Sequence, residues 1–159
     1  MHQLRRHGAV VREIRDSRGK LLLSADEKTR SLDDLDLRGA QLAGVECEGI
    51  VCMGTNFSGA DLRDVDFYWA SAFGANFSEA DLEGACLKGA NLAEACFKGA
   101  RLAGTDFGRD NLNGATDLRG ADFSSTNLRE AILDGAHYDS STKLPGDFDP
   151  QSKGMVFSE

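Results

Sequence analysis

Apolar residues recur in this chain every fifth position, and that period fits neither common secondary structure. The centres are Leu37, Leu42, Cys47, Cys52, Phe57, Leu62, Phe67, Ala72, Phe77, Leu82, Leu87, Leu92, Phe97, Leu102, Phe107 and Leu112. One extra residue follows, and the beat resumes at Leu118, Phe123, Leu128, Leu133 and Tyr138. Of these 21 centres, 17 are Leu or Phe. Two positions before the centre stands a small residue, Ala in 12 units; two positions after it stands Gly in 13. A helix repeats its apolar face every ~3.6 residues and a half-buried strand every ~2. A repeat at a fixed longer period marks a solenoid or array.

Each unit reads as a very short extended segment and a corner. The small residue and the centre point the same way, two positions apart, as in a strand. Gly after the centre suits a backbone that must bend where a side chain would hinder it. Asp or Asn before the centre (Asp61, Asn76, Asp81, Asn91, Asp122) suits side-chain bonding to turn backbone. Equally spaced corners coil the chain, and coils stack. The expected fold class is all-β.

The runs Ala60-Asp61-Leu62, Ala75-Asn76-Phe77, Ala80-Asp81-Leu82, Ala90-Asn91-Leu92 and Ala121-Asp122-Phe123 resemble the pentapeptide-repeat family over about two thirds of the chain. The tail also resembles a C-terminal segment of family members: Tyr138-Asp139, Thr142-Lys143-Leu144-Pro145, Phe148-Asp149-Pro150 and Gly154. The resemblance implies a right-handed quadrilateral β-helix of about five coils, each of four pentapeptides. Twenty-residue coils would stack four inner columns. These are Leu37, Phe57, Phe77, Phe97, Leu118 and Tyr138; Leu42, Leu62, Leu82, Leu102 and Phe123; Cys47, Phe67, Leu87, Phe107 and Leu128; and Cys52, Ala72, Leu92, Leu112 and Leu133. Coils at strand spacing give a rod of roughly 25 Å. Its close-packed interior leaves no room for a ligand.

The extra residue before Leu118 is the one register fault. In strict register Asp110 would point inward, where a lone carboxylate is costly. The segment 108–116 is therefore expected to bulge, with Asp110 in solvent or bonded to backbone amides. Upstream, Ala9-Val10-Val11 and Lys20-Leu21-Leu22-Leu23 flank the turn signal Asp16-Ser17-Arg18-Gly19 and predict a β-hairpin. The first coil of a solenoid exposes a sheet edge that needs covering. The expected organisation is one domain: an N-terminal hairpin cap over 1–31, repeat coils over 32–140 and an irregular C-terminal cap over 141–159, with Leu144, Phe148, Met155 and Val156 as candidate lid residues.

Charge is uneven. The whole chain carries −8, while residues 31–139 hold eight Lys or Arg against nineteen Asp or Glu. The basic cluster Arg5, Arg6, His7, Arg12, Arg15 and Arg18 reads as a solvated hairpin face, with anion contact as the alternative. An acidic surface disfavours direct nucleic-acid binding, which needs clustered Lys and Arg. No signal peptide or membrane span is recognised. Four cysteines without a spaced pair fit the reducing cytoplasm. Cys47 and Cys52 lie at core centres; Cys86 and Cys96 face outward on opposite sides, too far apart to pair. No catalytic, cofactor or metal site is expected. The three histidines, His2, His7 and His137, lack a nucleophile or paired carboxylate nearby in the sequence.

One segment departs from the repeat. Phe67-Tyr68-Trp69-Ala70-Ser71-Ala72-Phe73 places aromatics where polar residues or Gly belong, and Met53 stands twenty residues before Phe73. Met53, Tyr68, Trp69 and Phe73 are the candidate protein interface, because aromatics and Met dominate interface centres. The alternative is that they pack locally or lie under a tail. Two functions remain. One is a non-enzymatic interaction module that binds a protein partner or a second copy as a homodimer. The other follows from the resemblance, since some relatives mimic DNA and protect type II topoisomerases such as DNA gyrase from quinolones. Duplex DNA carries one charge per ~1.7 Å, about 15 over such a rod, more than these coils offer.

Overall fold

Every fifth residue inside the stack makes parallel bridges to the coils above and below, as Val51 does to Ser31 and Ser71, and a turn follows each bridge. The structure is a computed structural model that describes residues 13–15, 18–19, 21–24 and 31–159. Ser31, Asp36, Gln41 and Glu46 pair with Val51, Asn56, Asp61 and Asp66, so pairing partners stand twenty positions apart and four turns fall in each coil. The pentapeptides build a β-helix. Its backbone groups are satisfied between coils, as where Leu37 N–H donates to Asn56 O at 2.9 Å and Asn56 N–H to Leu35 O at 2.9 Å. Each corner is closed locally, as where Ala40 N–H donates to Leu37 O at 3.0 Å. The Asp or Asn before the centre accepts from the amide two residues on: Ser58 N–H reaches Asn56 Oδ1 at 3.0 Å and Ser78 N–H reaches Asn76 Oδ1 at 3.0 Å. This bond explains the Asx preference at that position.

Centres and small residues fill the tube. Phe57, Phe77, Phe97 and Phe123 form one continuous ring stack, with successive centroids 5.2, 5.1 and 4.8 Å apart. Phe67 and Phe107 meet that stack from the opposite wall, two pentapeptides on. Buried Thr replaces Ala where a hydroxyl finds a carbonyl: Thr55 donates to Leu32 O at 2.6 Å and Thr105 to Leu82 O at 2.7 Å. Leu32 is itself buried, so the inner column begins one unit upstream of Leu37.

The register fault is larger than one residue. Asn91 pairs with Asp117, Cys96 with Asp122 and Asp106 with Ile132, so a whole pentapeptide leaves the coil together with the extra residue. Leu112 is 73% exposed and does not belong to the core. The columns beyond it shift by one wall. Phe97 stacks on Phe123 rather than Leu118, Leu102 precedes Leu128, Phe107 precedes Leu133, and Leu92 precedes Leu118. The reason is phase. Keeping the Leu112 unit in the coil would turn Asp110 inward; expelling six residues keeps every remaining centre inside and leaves the carboxylate out.

At the N-terminal side, β1 (Glu13–Arg15) pairs antiparallel with β2 (Leu21–Ser24). The sequence-predicted arm Ala9–Val11 lies outside the described residues, as do Asp16, Ser17, Lys20, Arg5, Arg6, His7 and Arg12. Gln41 N–H donates to Arg15 O at 2.7 Å, tying β1 to the first coil. At the other end, β3 (His137–Tyr138) pairs in parallel with β4 (Val156–Phe157), after a 3-10 turn over Gln151–Lys153. Met155 is buried, and Leu144 and Phe148 pack partly buried against the core. Val156 corrects its lid assignment: it faces outward and is 36% exposed.

Candidate functional site

The corner residue two positions after most centres adopts a left-handed backbone. Most are Gly, such as Gly49 (φ 67) and Gly89 (φ 65), but Trp69 adopts φ 57 at the same position. A side chain there lies over the same corner of the next coil. A Cβ on Gly89 would fall 2.5 Å from Trp69 Cδ1, and one on Gly84 would fall within bonding range of the Asp64 carboxylate. The same relation pairs Glu79 with Gly99 and, across the expelled unit, Arg109 with Gly135. A large corner side chain thus requires Gly one coil later, and the indole of Trp69 rests on the bare backbone of Gly89.

The expelled segment folds back onto this aromatic corner. Asp110 Oδ2 accepts from Trp69 Nε1 at 2.5 Å, and the Tyr68 hydroxyl donates to Asn111 Oδ1 at 2.5 Å. The Tyr68 and Trp69 rings lie 5.0 Å apart. Asp110 is anchored in turn, its Oδ1 accepting from Leu112 N–H at 2.8 Å and Gly114 N–H at 2.6 Å. The Trp69 indole N–H, with help from these two amides, holds the Asp110 carboxyl below its ordinary range. At the base of the loop Thr116 is buried. Its hydroxyl accepts from Gly89 N–H at 2.9 Å and faces the carbonyls of Gly108 and Leu87 at 3.0 and 3.1 Å. A groove of about 770 Å³ runs beside the rings, lined also by Glu48, Asp66, Cys86, Lys88 and Arg109.

Of the four sequence-predicted interface residues, the structure joins Tyr68 and Trp69. Trp69 remains 44% exposed. Met53 and Phe73 sit at the following corner, paired across one coil through Gly54 N–H to Phe73 O at 3.0 Å, and both are exposed. Asp110 and Asn111 are the hydrogen-bonding neighbours of this corner that sequence reasoning did not connect to it. The available signal was distance: Asp110 follows Trp69 by 41 residues, two coils and one position.

Elsewhere the acidic faces are partly neutralised by their own bases. Arg63 binds Asp61 at 2.7 Å, Arg101 lies 3.4 Å from Asp81 and also binds Glu83, and Lys88 binds Asp106 at 2.9 Å. Asp122 takes Lys98 and Lys143 at 3.3 and 3.2 Å. His137 does have a hydroxyl neighbour, Ser158 Oγ at 3.2 Å from Nδ1. Asp117 on the same wall accepts from Nε and one terminal nitrogen of Arg119, at 2.9 and 2.7 Å. Cys86 and Cys96 lie on different walls, half-buried, in line with Asp66 and Asn76 respectively. Among the described residues, no group of His, Cys, Asp and Glu is arranged to hold a metal, and no helix is long and apolar enough to cross a membrane.

The repeat model for pentapeptide repeats matches eight copies, over residues 36–71, 51–89, 73–109 and 95–137. The chain belongs to the pentapeptide-repeat family. Solved pentapeptide-repeat structures resemble it. Rfr23 from the cyanobacterium Cyanothece 51142 is 26% identical with a TM-score of 0.58, over 74% of this chain and 93% of that one. A pentapeptide repeat protein of the Arabidopsis thaliana thylakoid lumen is 30% identical with a TM-score of 0.50, over 64% and 70%. A trypsin-treated form of QnrB1, a plasmid-mediated fluoroquinolone resistance protein, is 19% identical with a TM-score of 0.50, over 80% and 79%; that likeness concerns the fold alone. No curated protein matches the chain in sequence. Within the pentapeptide-repeat frame, the aromatic corner and the expelled loop are the departures from the repeat.

Proposed function

We propose that the chain is a non-enzymatic protein-interaction module of the cytoplasm. In this reading a right-handed quadrilateral β-helix is capped by the hairpin (1–31) and the tail (141–159) around repeat coils (32–140). It presents Met53, Tyr68, Trp69 and Phe73 to a protein partner or to a second copy as a homodimer. The observation that carries the reading is the aromatic corner itself. Two large rings stand in place of the usual polar or Gly corner, Trp69 exposed and Tyr68 half-buried, and a loop fixes their orientation through Asp110 and Asn111. Rigid aromatic anchors that lose little freedom on contact are what dominate interface energetics. The neighbouring corner adds Met53 and Phe73, a second apolar contact on the same coils.

DNA mimicry toward DNA gyrase is the second reading. The net charge of −8 and the fold shared with QnrB1 favour it. The internal pairing of Asp61, Asp81, Asp106 and Asp122 with Lys and Arg disfavours it, since a mimic of the phosphate backbone needs unpaired charge. A single comparison separates the two. An unbiased capture of binding proteins is run beside a gyrase supercoiling assay, each with wild type and with Trp69→Ala. The interaction module expects a saturable partner lost in Trp69→Ala with the melting temperature nearly unchanged. Salt-sensitive interference with supercoiling that persists in Trp69→Ala would select mimicry instead.

A further inference from the structure

The chain has six asparagines: Asn56, Asn76, Asn91, Asn111, Asn113 and Asn127. Five of them precede Leu or Phe; only Asn113 precedes Gly. Asparagine loses its amide when the backbone nitrogen of the next residue attacks Cγ, and a following side chain hinders that attack. On the coils this nitrogen is also committed to the ladder, as where Phe57 N–H donates to Asn76 O at 2.7 Å and Leu92 N–H to Asp117 O at 2.9 Å. Asn113 differs in two respects: it precedes Gly, and it alone among the asparagines has a left-handed backbone, at φ 66, in the exposed expelled loop.

The Gly114 nitrogen is not idle. Its N–H donates to Asp110 Oδ1 at 2.6 Å, while the other Asp110 oxygen holds Trp69 Nε1. An anion bonded to an N–H opposes loss of the proton that ring closure requires. We propose that Asn113 is a self-modification site, a deamidation switch that the Asp110 clasp on Trp69 holds in check and whose product opens that clasp.

The chemistry needs only water. Gly114 N bonds to Asn113 Cγ, the Cγ–Nδ2 bond breaks, and ammonia leaves with the proton from Gly114. A succinimide results. Water opens it at either carbonyl, giving aspartate or isoaspartate. Both products set a second carboxylate beside Asp110, where like charges repel. Isoaspartate also inserts a methylene into the backbone between Asp110 and Gly114. That span is closed by Asp110 N–H to Gly114 O at 2.9 Å and by Gly114 N–H to Asp110 Oδ1 at 2.6 Å. Both bonds cross the added methylene and lose their register, and the loop lets go of the aromatic corner. The change is irreversible without repair, so it marks the age of the molecule or an earlier release of the loop.

The test uses the full chain, held in warm, mildly alkaline buffer and followed by peptide mapping with an isoaspartate-specific methyltransferase label. Modification is expected to concentrate at Asn113. It should run several-fold faster in Asp110→Ser and in Trp69→Phe than in wild type, both variants being checked for a native melt. In wild type the Trp69 emission should move to the red in step with conversion, while Asn113→Ser, treated alike, stays unchanged. Equal rates in all three proteins, or no modification at Asn113 in any of them, would overturn the proposal. Full conversion at Asn113 with unmoved Trp69 emission would overturn the claim that the product opens the clasp.

Discussion

The rings of Phe97 and Phe123 stack 4.8 Å apart and within 1° of parallel, although the expelled loop lies between them in the chain. The stack that Phe57 and Phe77 begin therefore continues across the fault without a break. Coupling should follow this contact and not the strict five-residue count. A double-mutant cycle on Phe97→Leu and Phe123→Leu should show an interaction of about 0.5–1.5 kcal/mol, the usual worth of an aromatic pair beyond its burial. The cycle on Phe97→Leu and Leu118→Ala, read from denaturant melts, should be close to additive.

Gly89→Ala should cost more than Gly74→Ala. Both positions have positive φ, 65 and 64, so both carry the backbone strain of a side chain there. Only at Gly89 would the new Cβ meet Trp69 Cδ1 at 2.5 Å and Asp110 Oδ2 at 3.0 Å. The shared strain is about 1–2 kcal/mol. The excess in Gly89→Ala should appear together with a shifted Trp69 emission, absent from Gly74→Ala.

Ala90→Leu should be severely destabilising, by roughly 3 kcal/mol or more, because it overfills a wall whose neighbours Ala70 and Leu92 are fully packed. Thermal melting checks it, with Lys98→Leu as a surface control of the same size.

Lowering the pH should open the loop. Asp110 is held below its ordinary 3.8 first by the Trp69 indole N–H and then by the Gly114 and Leu112 amides. A depressed carboxylate contributes stability above its free value and loses it as pH falls through the depressed one. Trp69 emission should therefore be constant near neutrality and change only below the ordinary carboxylate range. The other charged groups along the groove are Glu48, Asp66, Lys88 and Arg109. Asp110→Asn should abolish the low-pH change if Asp110 governs it, whereas a surviving transition would show that the clasp is not its origin.

Thiol reactivity should divide the cysteines. Burial pushes the Cys47 thiol up to about 12 and raises Cys52 further, while Cys86 and Cys96 are half-buried. A thiol-disulfide reagent should label Cys86 and Cys96 in the native protein, and Cys47 and Cys52 only after unfolding.

Apart from Leu112, the pentapeptide period alone determined the inward set, the Gly corners and the Asx bonds, because each depends on neighbours within one unit. Leu37, Phe57 and Phe77 could be placed in one column from spacing, as the coil repeats without error that far. Even the Gly that follows each large corner residue one coil later, Gly84 after Asp64 and Gly89 after Trp69, is written in the chain at the coil spacing. The path of residues 108–116 was not. One extra residue can be absorbed by a bulge or by expelling a longer segment, and the choice rests on non-local terms: the cost of an inward Asp110, the stacking of Phe97 on Phe123, and the bonds that Trp69 and Tyr68 offer the loop. Those terms exist only when coils two turns apart are already stacked, so the tertiary structure decided where Leu112 points and what the aromatic corner holds.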